Sequence, residues 1–366
     1  MRITFRWFGS GYDSVSLEQI RQIAVVKGVV STLYGKLPGE TWSRNEIKGL
    51  KSQIEDAGLG LDGIESVNIH DAIKAGGKDR DRYIENYIKT LENLGDEGVH
   101  MVCYNFMPVF DWTRSDLAKL REDGSSVMSY DQDMVDMINV DDLLNHMTEK
   151  SNNFRLAGWE PERLGRIREL FRLYEGVDSE TLFGNLCYFL NAIMPACDKY
   201  DMFMAIHPDD PAWPVFKLPR IVKDKSDIAR LLNAVDDVHN GITLCTGSLG
   251  SSPSNDIPDI IKLSRGRIHF AHIRNLRYLA PGKFDEAAHA SCDGSLDMFA
   301  IIKALYDSGF DGLIRPDHGR SVWGEVSMPG YGLYDRAMGC NYIYGLWEAI
   351  DRIPGSGSSF ISKSSN

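Results

Sequence analysis

The chain has 366 residues, 43% apolar and 25% charged, an ordinary mix for a globular protein with a sizeable core. Its formal net charge of −12 argues against the basic footprint that nucleic-acid binding needs. No apolar run approaches the roughly 18–20 residues of a membrane span, and the six cysteines include no C-x-x-C pair, so a reduced cytoplasmic enzyme without a membrane or nucleic-acid partner is expected.

Short β-rich runs alternate with helical stretches from the first residues onward. ITFRWFG (3–9) precedes the amphipathic SLEQIRQIAVVKG, and VVSTLYG (29–35) precedes a helix over about 43–57 that stops at Gly58. LDGIESVN (61–68) leads into a helix over about 79–95 with Tyr83, Tyr87, Leu91 and Leu94 on one stripe, and VHMVCYNFM (99–107) is the fourth run. The interval 108–176 then breaks the rhythm with polar TRSDLAKLREDGSS and YDQDMVDMINVDD and the helical ERLGRIRELFRLYEG. Four further runs follow: MFMAIHP (202–208), GITLCTG (241–247), RIHFAHIRN (267–275) and DGLIRPDHG (311–319).

Eight such runs with helices between them predict an α/β protein, a single (β/α)₈ TIM barrel over 1–353 with a long helical insertion after strand four. A doubly wound sheet usually has fewer strands. The insertion falls on the C-terminal face, where it would serve as a lid or a subunit contact. Its Met128, Met134, Met137 and Met147 read as adaptable packing. The tail PGSGSSFISKSSN (354–366) reads as disordered.

Each of the last four runs ends in a residue that favours metal: His207, Cys245, His272 and Asp317. They lie 38, 27 and 45 residues apart, too far for a zinc finger but suited to successive strands that bring their ends to one rim. Strand alternation lets only one of His269 and His272 face inward, and His272 is nearer the C-terminal end. Asp209 or Asp210 is expected to hold the second ring nitrogen of His207. His318 is the candidate acid–base group. Arg315, two residues before Asp317, serves either the substrate or Asp317 itself. Thiolate favours zinc or iron, whereas histidine and carboxylate also suit manganese. Arg6, Trp7, Asn105, Arg274 and Asn275 stand at strand ends as candidate substrate contacts, with Lys217 a weaker one, while Glu65 and His70 read as core or support. A sugar isomerase or epimerase, which would gather more carboxylates, and a closed structural zinc site remain open at this point.

At these residues the chain resembles the mannonate dehydratase family, within the xylose-isomerase-like barrels. The motifs are RWFG (6–9), HPDDP (207–211), LCTGS (244–248), HIRN (272–275), RPDHG (315–319) and PGYG (329–332), in that order along nearly the whole chain. The resemblance implies dehydration of the sugar acid D-mannonate to 2-keto-3-deoxy-D-gluconate in hexuronate breakdown. It also implies one divalent metal per chain, Mn²⁺ or Fe²⁺, and a homodimer. Such a reaction needs a base for the C2 proton and an acid for the departing C3 hydroxyl. His318 and Tyr331 are expected to share these roles, with Tyr334 as substitute should the PGYG loop turn Tyr331 away.

Overall fold

The computed structural model describes residues 1–138, 151, 152, 154 and 165–353. In chain order its strands are β1 (Arg2–Arg6), β2 (Gly28–Ser31), β3 (Gly60–Glu65), β4 (Met101–Tyr104), β5 (Asp116–Leu120), β6 (Ser126–Asp131), β7 (Phe203–Ile206), β8 (Asn240–Cys245), β9 (Ile268–Ile273), β10 (Leu276–Ala280), β11 (Lys283–Glu286) and β12 (Leu313–Pro316). Strands β1, β12, β9, β8, β7, β4, β3 and β2 close in that order into an all-parallel barrel. These are the eight expected strands. Each predicted run extends past the observed ladder at its C-terminal end, because those last residues leave the sheet for the loops of the barrel mouth.

Local chemistry marks where the outer helices start. Ser16 and Ser43 close capping boxes with Gln19 and Glu46. Asp178, Asp224, Asp256 and Asp297 accept hydrogen bonds from first-turn N–H groups that have no partner inside their own helix. Val30, Met101, Cys103, Ala205 and Phe270 fill the barrel interior, so it is a packed core rather than a channel. No described helix is long and apolar enough to cross a membrane.

The insertion differs from its expected helical character. Its polar run folds into the hairpin β5–β6, turning at Asp123 and Gly124 (φ +81°), before the short helix Gln132–Met137. A second hairpin follows β9: β10 and β11 meet through Pro281–Gly282, a two-residue turn with Gly282 at φ +73°. The two hairpins join by pairing β6 with β11 into one antiparallel sheet, ordered β10-β11-β6-β5. Phe284 stacks on Tyr130 within it, with centroids 5.5 Å apart. Of the predicted ERLGRIRELFRLYEG helix the structure describes 165–176, which is helical over Ile167–Leu173. Met147, the rest of the insertion's centre and the tail expected to be disordered lie outside the described residues.

Candidate active site

Strand register brings the four metal-favouring residues together. Cys245 ends β8 directly opposite His272 of β9, and His272 lies opposite Arg315 of β12, two residues before Asp317. His207 follows β7 on the other side of β8. One donor atom from each of the four lies within 4.8 Å of all the others. His269 points the other way and packs on Phe203, where burial pushes its pKa down to about 4.

The donor set fits a divalent cation on chemical grounds. Nδ1 of His207 bonds Pro208 O at 2.7 Å, leaving Nε2 free to ligate. That carbonyl replaces the expected carboxylate: Asp209 instead accepts from the N–H groups of Ile221 and Val222, and Asp210 pairs with Arg114 and Arg274. Burial alone would raise the Cys245 thiol, but Arg274 and His207 hold it well below its ordinary range, so it stands as a thiolate. Burial likewise opposes ionisation of Asp317, yet His318, Arg315 and His272 outweigh it. Nε2 of His272 makes no hydrogen bond and lies 3.5 Å from Glu65 Oε2, while Nδ1 lies 4.0 Å from Asp317 Oδ1. A thiolate, a carboxylate and two imidazoles in one buried pocket are suited to a cation of intermediate softness.

Glycine is needed behind this cluster. A Cβ at Gly247 would collide with the Arg274 guanidinium, which passes under the TGS turn to reach Cys245 and Ser248. Thr246 fixes the same crossing by donating to Arg274 O at 2.6 Å.

Because β12 ends at Pro316, Asp317 and His318 do not alternate as strand neighbours, and both line one pocket. Nδ1 of His318 lies 2.8 Å from Glu286 Oε1 and Nε2 lies 3.0 Å from the Tyr331 hydroxyl. Burial pushes the Tyr331 hydroxyl well above its ordinary value and Asp317 adds to this, so it remains a proton donor. Two features hold the PGYG loop inward. Gly330 (φ +78°) passes against the Met128 methyl, and the buried Arg336 donates to the carbonyls of Tyr331, Gly332 and Arg6.

Largely buried ion pairs surround the pocket. Arg315 makes a bidentate pair with Glu65 at 2.7 and 3.0 Å and also reaches Asp317 at 2.9 Å. Arg114 makes a bidentate pair with Asp210, while Arg274 bridges Asp210, Glu286 and Asp317. Burial disfavours the ionised Glu286, but His318, Arg274 and Arg114 bring it down to about 2. Arg6 is different: it is buried, lines the pocket, lies 3.6 Å from Glu65, and leaves Nε and Nη1 without a hydrogen-bond partner.

The expected substrate contacts therefore divide. Arg6, Asn105, Arg315 and Tyr331 line the pocket, and Trp7, Arg274, Asn275, Tyr334 and Lys217 do not. Trp7 alternates with Arg6 and so packs into the core outside the barrel. The Asn275 side chain ties Ala290 O to the N–H groups of Leu276 and Leu296. Tyr334 is exposed against Trp323, Lys217 is exposed, and Arg274 lies beneath the pocket among its charge partners. Glu65, Asp111, Trp112 and Asp210 line the pocket without having been singled out as site residues, and Arg114 and Glu286 support it from behind. Of these, Glu65, an acid ending an apolar strand, and Asp210, within HPDDP, carried a sequence signal for such a place.

A model of the D-mannonate dehydratase family matches residues 1–356. Mannonate dehydratase of Brachyspira hyodysenteriae is 63% identical over 353 residues, covering 96% of this chain and 99% of that one. The crystal structure of mannonate dehydratase from Streptococcus suis serotype 2 superposes with a TM-score of 0.88 at 39% identity, covering 100% and 99% of the two chains. A xylose isomerase domain protein from Planctomyces limnophilus (TM-score 0.53, 11% identity, 95% and 97% covered) shares the barrel fold alone. With the family model matching residues 1–356 and the relative matched over 99% of its length, the chain belongs to the D-mannonate dehydratase family.

Proposed function

We propose that the chain removes water from D-mannonate to give 2-keto-3-deoxy-D-gluconate, a step in hexuronate breakdown. One divalent ion, manganese or ferrous iron, is held by His207, Cys245, His272 and Asp317. The observation that carries this reading is a set of donors for one cation beside a hydrogen-bonded His318–Tyr331 pair in a single pocket, within a family of hydro-lyases. A bound cation supplies positive charge where the substrate carboxylate becomes more negative as C2 loses its proton.

The chain's own residues supply the rest. Arg6, paired only loosely with Glu65, turns guanidinium nitrogens that make no hydrogen bond to the substrate carboxylate or a hydroxyl. Arg315 keeps Asp317 and Glu65 ionised and fixed. His318 and Tyr331 divide the two proton transfers, one taking the C2 proton and the other protonating the C3 hydroxyl so that it leaves as water. The remaining enol becomes the 2-keto acid. Phe8, Met107 and Trp112 form an apolar wall that limits water around the reacting atoms.

A buried Cys245 thiolate suits a reducing compartment, which supports a cytoplasmic setting. The homodimer is supported by Tyr334, Met338 and Tyr344, exposed without charge along the last helix, Leu333–Asp351. The function is tested by incubating metal-stripped protein with D-mannonate, with and without manganese, and following formation of the keto-deoxy acid. Product only with metal is expected. No product with manganese, ferrous iron or zinc would overturn the reading.

A further inference from the structure

We propose that Glu286 is a positioning residue for this reaction, fixing His318 so that Nδ1 carries a proton and Nε2 is the base that takes the C2 proton. This rests on the dehydratase reading and deepens it, by deciding which of the two paired groups is the base. The carboxylate is 1% exposed and belongs to the last residue of β11, outside the barrel. Its Oε1 lies 2.8 Å from His318 Nδ1, 2.6 Å from Arg274 Nη1 and 2.7 Å from Arg114 Nη2.

Nδ1 faces both Arg274 Nη1, a donor, at 3.2 Å and Glu286 Oε1 at 2.8 Å; the carboxylate contact is the shorter, and since an ionised carboxylate only accepts hydrogen bonds it places the ring proton on Nδ1. Two guanidiniums on the same oxygen keep that carboxylate ionised. Nε2 is then left as the acceptor facing Tyr331, whose hydroxyl donates to it at 3.0 Å. The step balances without any further reactant. The C2–H bond breaks and its proton passes to Nε2, while the electron pair is left on the carbon next to the carboxylate. Tyr331 gives its proton to the C3 hydroxyl, the C3–O bond breaks, water departs, and the pair forms the C2–C3 double bond. The proton on Nε2 then crosses the 3.0 Å contact to the Tyr331 oxygen, which restores both groups.

This arrangement gives the accessory sheet a mechanistic purpose. Strand β11 is held by β6 of the insertion, and Arg114 enters from just before β5. Both partners of the Glu286–Arg114 pair therefore come from outside the barrel.

The test uses the full chain loaded with manganese. Glu286→Gln keeps the side chain's shape and is expected to lower kcat about 100-fold or more, with KM within about threefold. In a His318→Ala background the same change should cost no more than about twofold, because its effect passes through the imidazole. An equal loss in both backgrounds, or a rise in KM with kcat kept, would overturn the proposal. A second readout needs no turnover. In zinc-loaded wild type labelled with ¹⁵N-histidine, where the diamagnetic ion leaves nearby signals sharp, a low-field, slowly exchanging proton is expected on His318 Nδ1, assigned by its loss in His318→Phe. Its absence from the wild type would sink the proposal. If the wild type makes no keto-deoxy acid the dehydratase reading falls, while the ring proton still decides the orientation of His318.

Discussion

The two walls of the pocket are built in different ways. On one side His207, Cys245, His272 and Asp317 come from consecutive barrel strands, and their spacing follows from strand register, as the facing of Cys245 and His272 shows. On the other, His318 leaves its strand immediately and is held by groups from elsewhere: Glu286 from β11, Trp112 from the insertion, and Tyr331 through the Arg336 clamp. A cation draws flexible donors to itself, so a rigid frame with approximate distances is enough for the first wall. A proton transfer needs a stated tautomer and a fixed ring plane before substrate arrives, and the second wall therefore carries a layer of support.

That division is tested most strongly by separating metal content from turnover. His318→Ala is expected to lower kcat by about 10²- to 10⁴-fold while metal analysis still finds one ion per chain. Cys245→Ser should do the opposite first, lowering metal content at limiting manganese, since a hydroxyl is not ionised where the thiolate was. Loss of metal from His318→Ala would show that the two walls do not act separately.

Arg6 stands between the walls, paired loosely with Glu65 and otherwise open to the pocket. A charge-assisted hydrogen bond to substrate contributes about 1.5–3 kcal/mol. Arg6→Gln is therefore expected to raise KM by roughly 10- to 100-fold, with a smaller change in kcat. Steady-state kinetics over a wide substrate range checks this, and an unchanged KM would remove Arg6 from substrate binding.

The same division explains what could be read from the chain before its structure. Buried parallel strands appear as apolar runs, and a histidine, cysteine or aspartate at the end of such a run stands out, which is why the barrel and its donor cluster were legible. Glu286 and Arg114 sit in polar segments where a charged residue ordinarily faces water. Only the pairing of Phe284 with Tyr130, across more than a hundred residues of sequence, carries that glutamate to the pocket. Strand alternation, applied to Arg6 and Trp7, would have sent the tryptophan to the outer core, where it lies. Tyr334 is not needed as a substitute, since Tyr331 lines the pocket and the helix beginning at Leu333 turns Tyr334 to the surface.

The smallest expected effect lies at the outer edge of the accessory sheet. Asp293 accepts both guanidinium nitrogens of Arg121 at 2.6 and 2.7 Å and the N–H of Ala288 at 2.8 Å, so it straps the insertion to the loop after β11. Burial works against its ionisation, but these bonds, Arg121 foremost, bring its pKa down to about 2 from an ordinary 3.8. A depressed carboxylate stabilises the fold above its unfolded pKa and loses that contribution as pH falls toward the folded value. Discounted for partial solvent exposure, the effect is on the order of 1 kcal/mol. Asp293→Asn should therefore lower Tm by about 1–3 °C at pH 7, and the gap to wild type should narrow as pH falls from 5 to 3, since only the wild type has a carboxylate at position 293 to protonate. Turnover at neutral pH should hardly change, because the strap lies outside the Glu286–His318 contact. A kcat loss as large as that of Glu286→Gln would instead show that the strap and His318 move as one body, merging the pocket's second wall with the surface of the insertion.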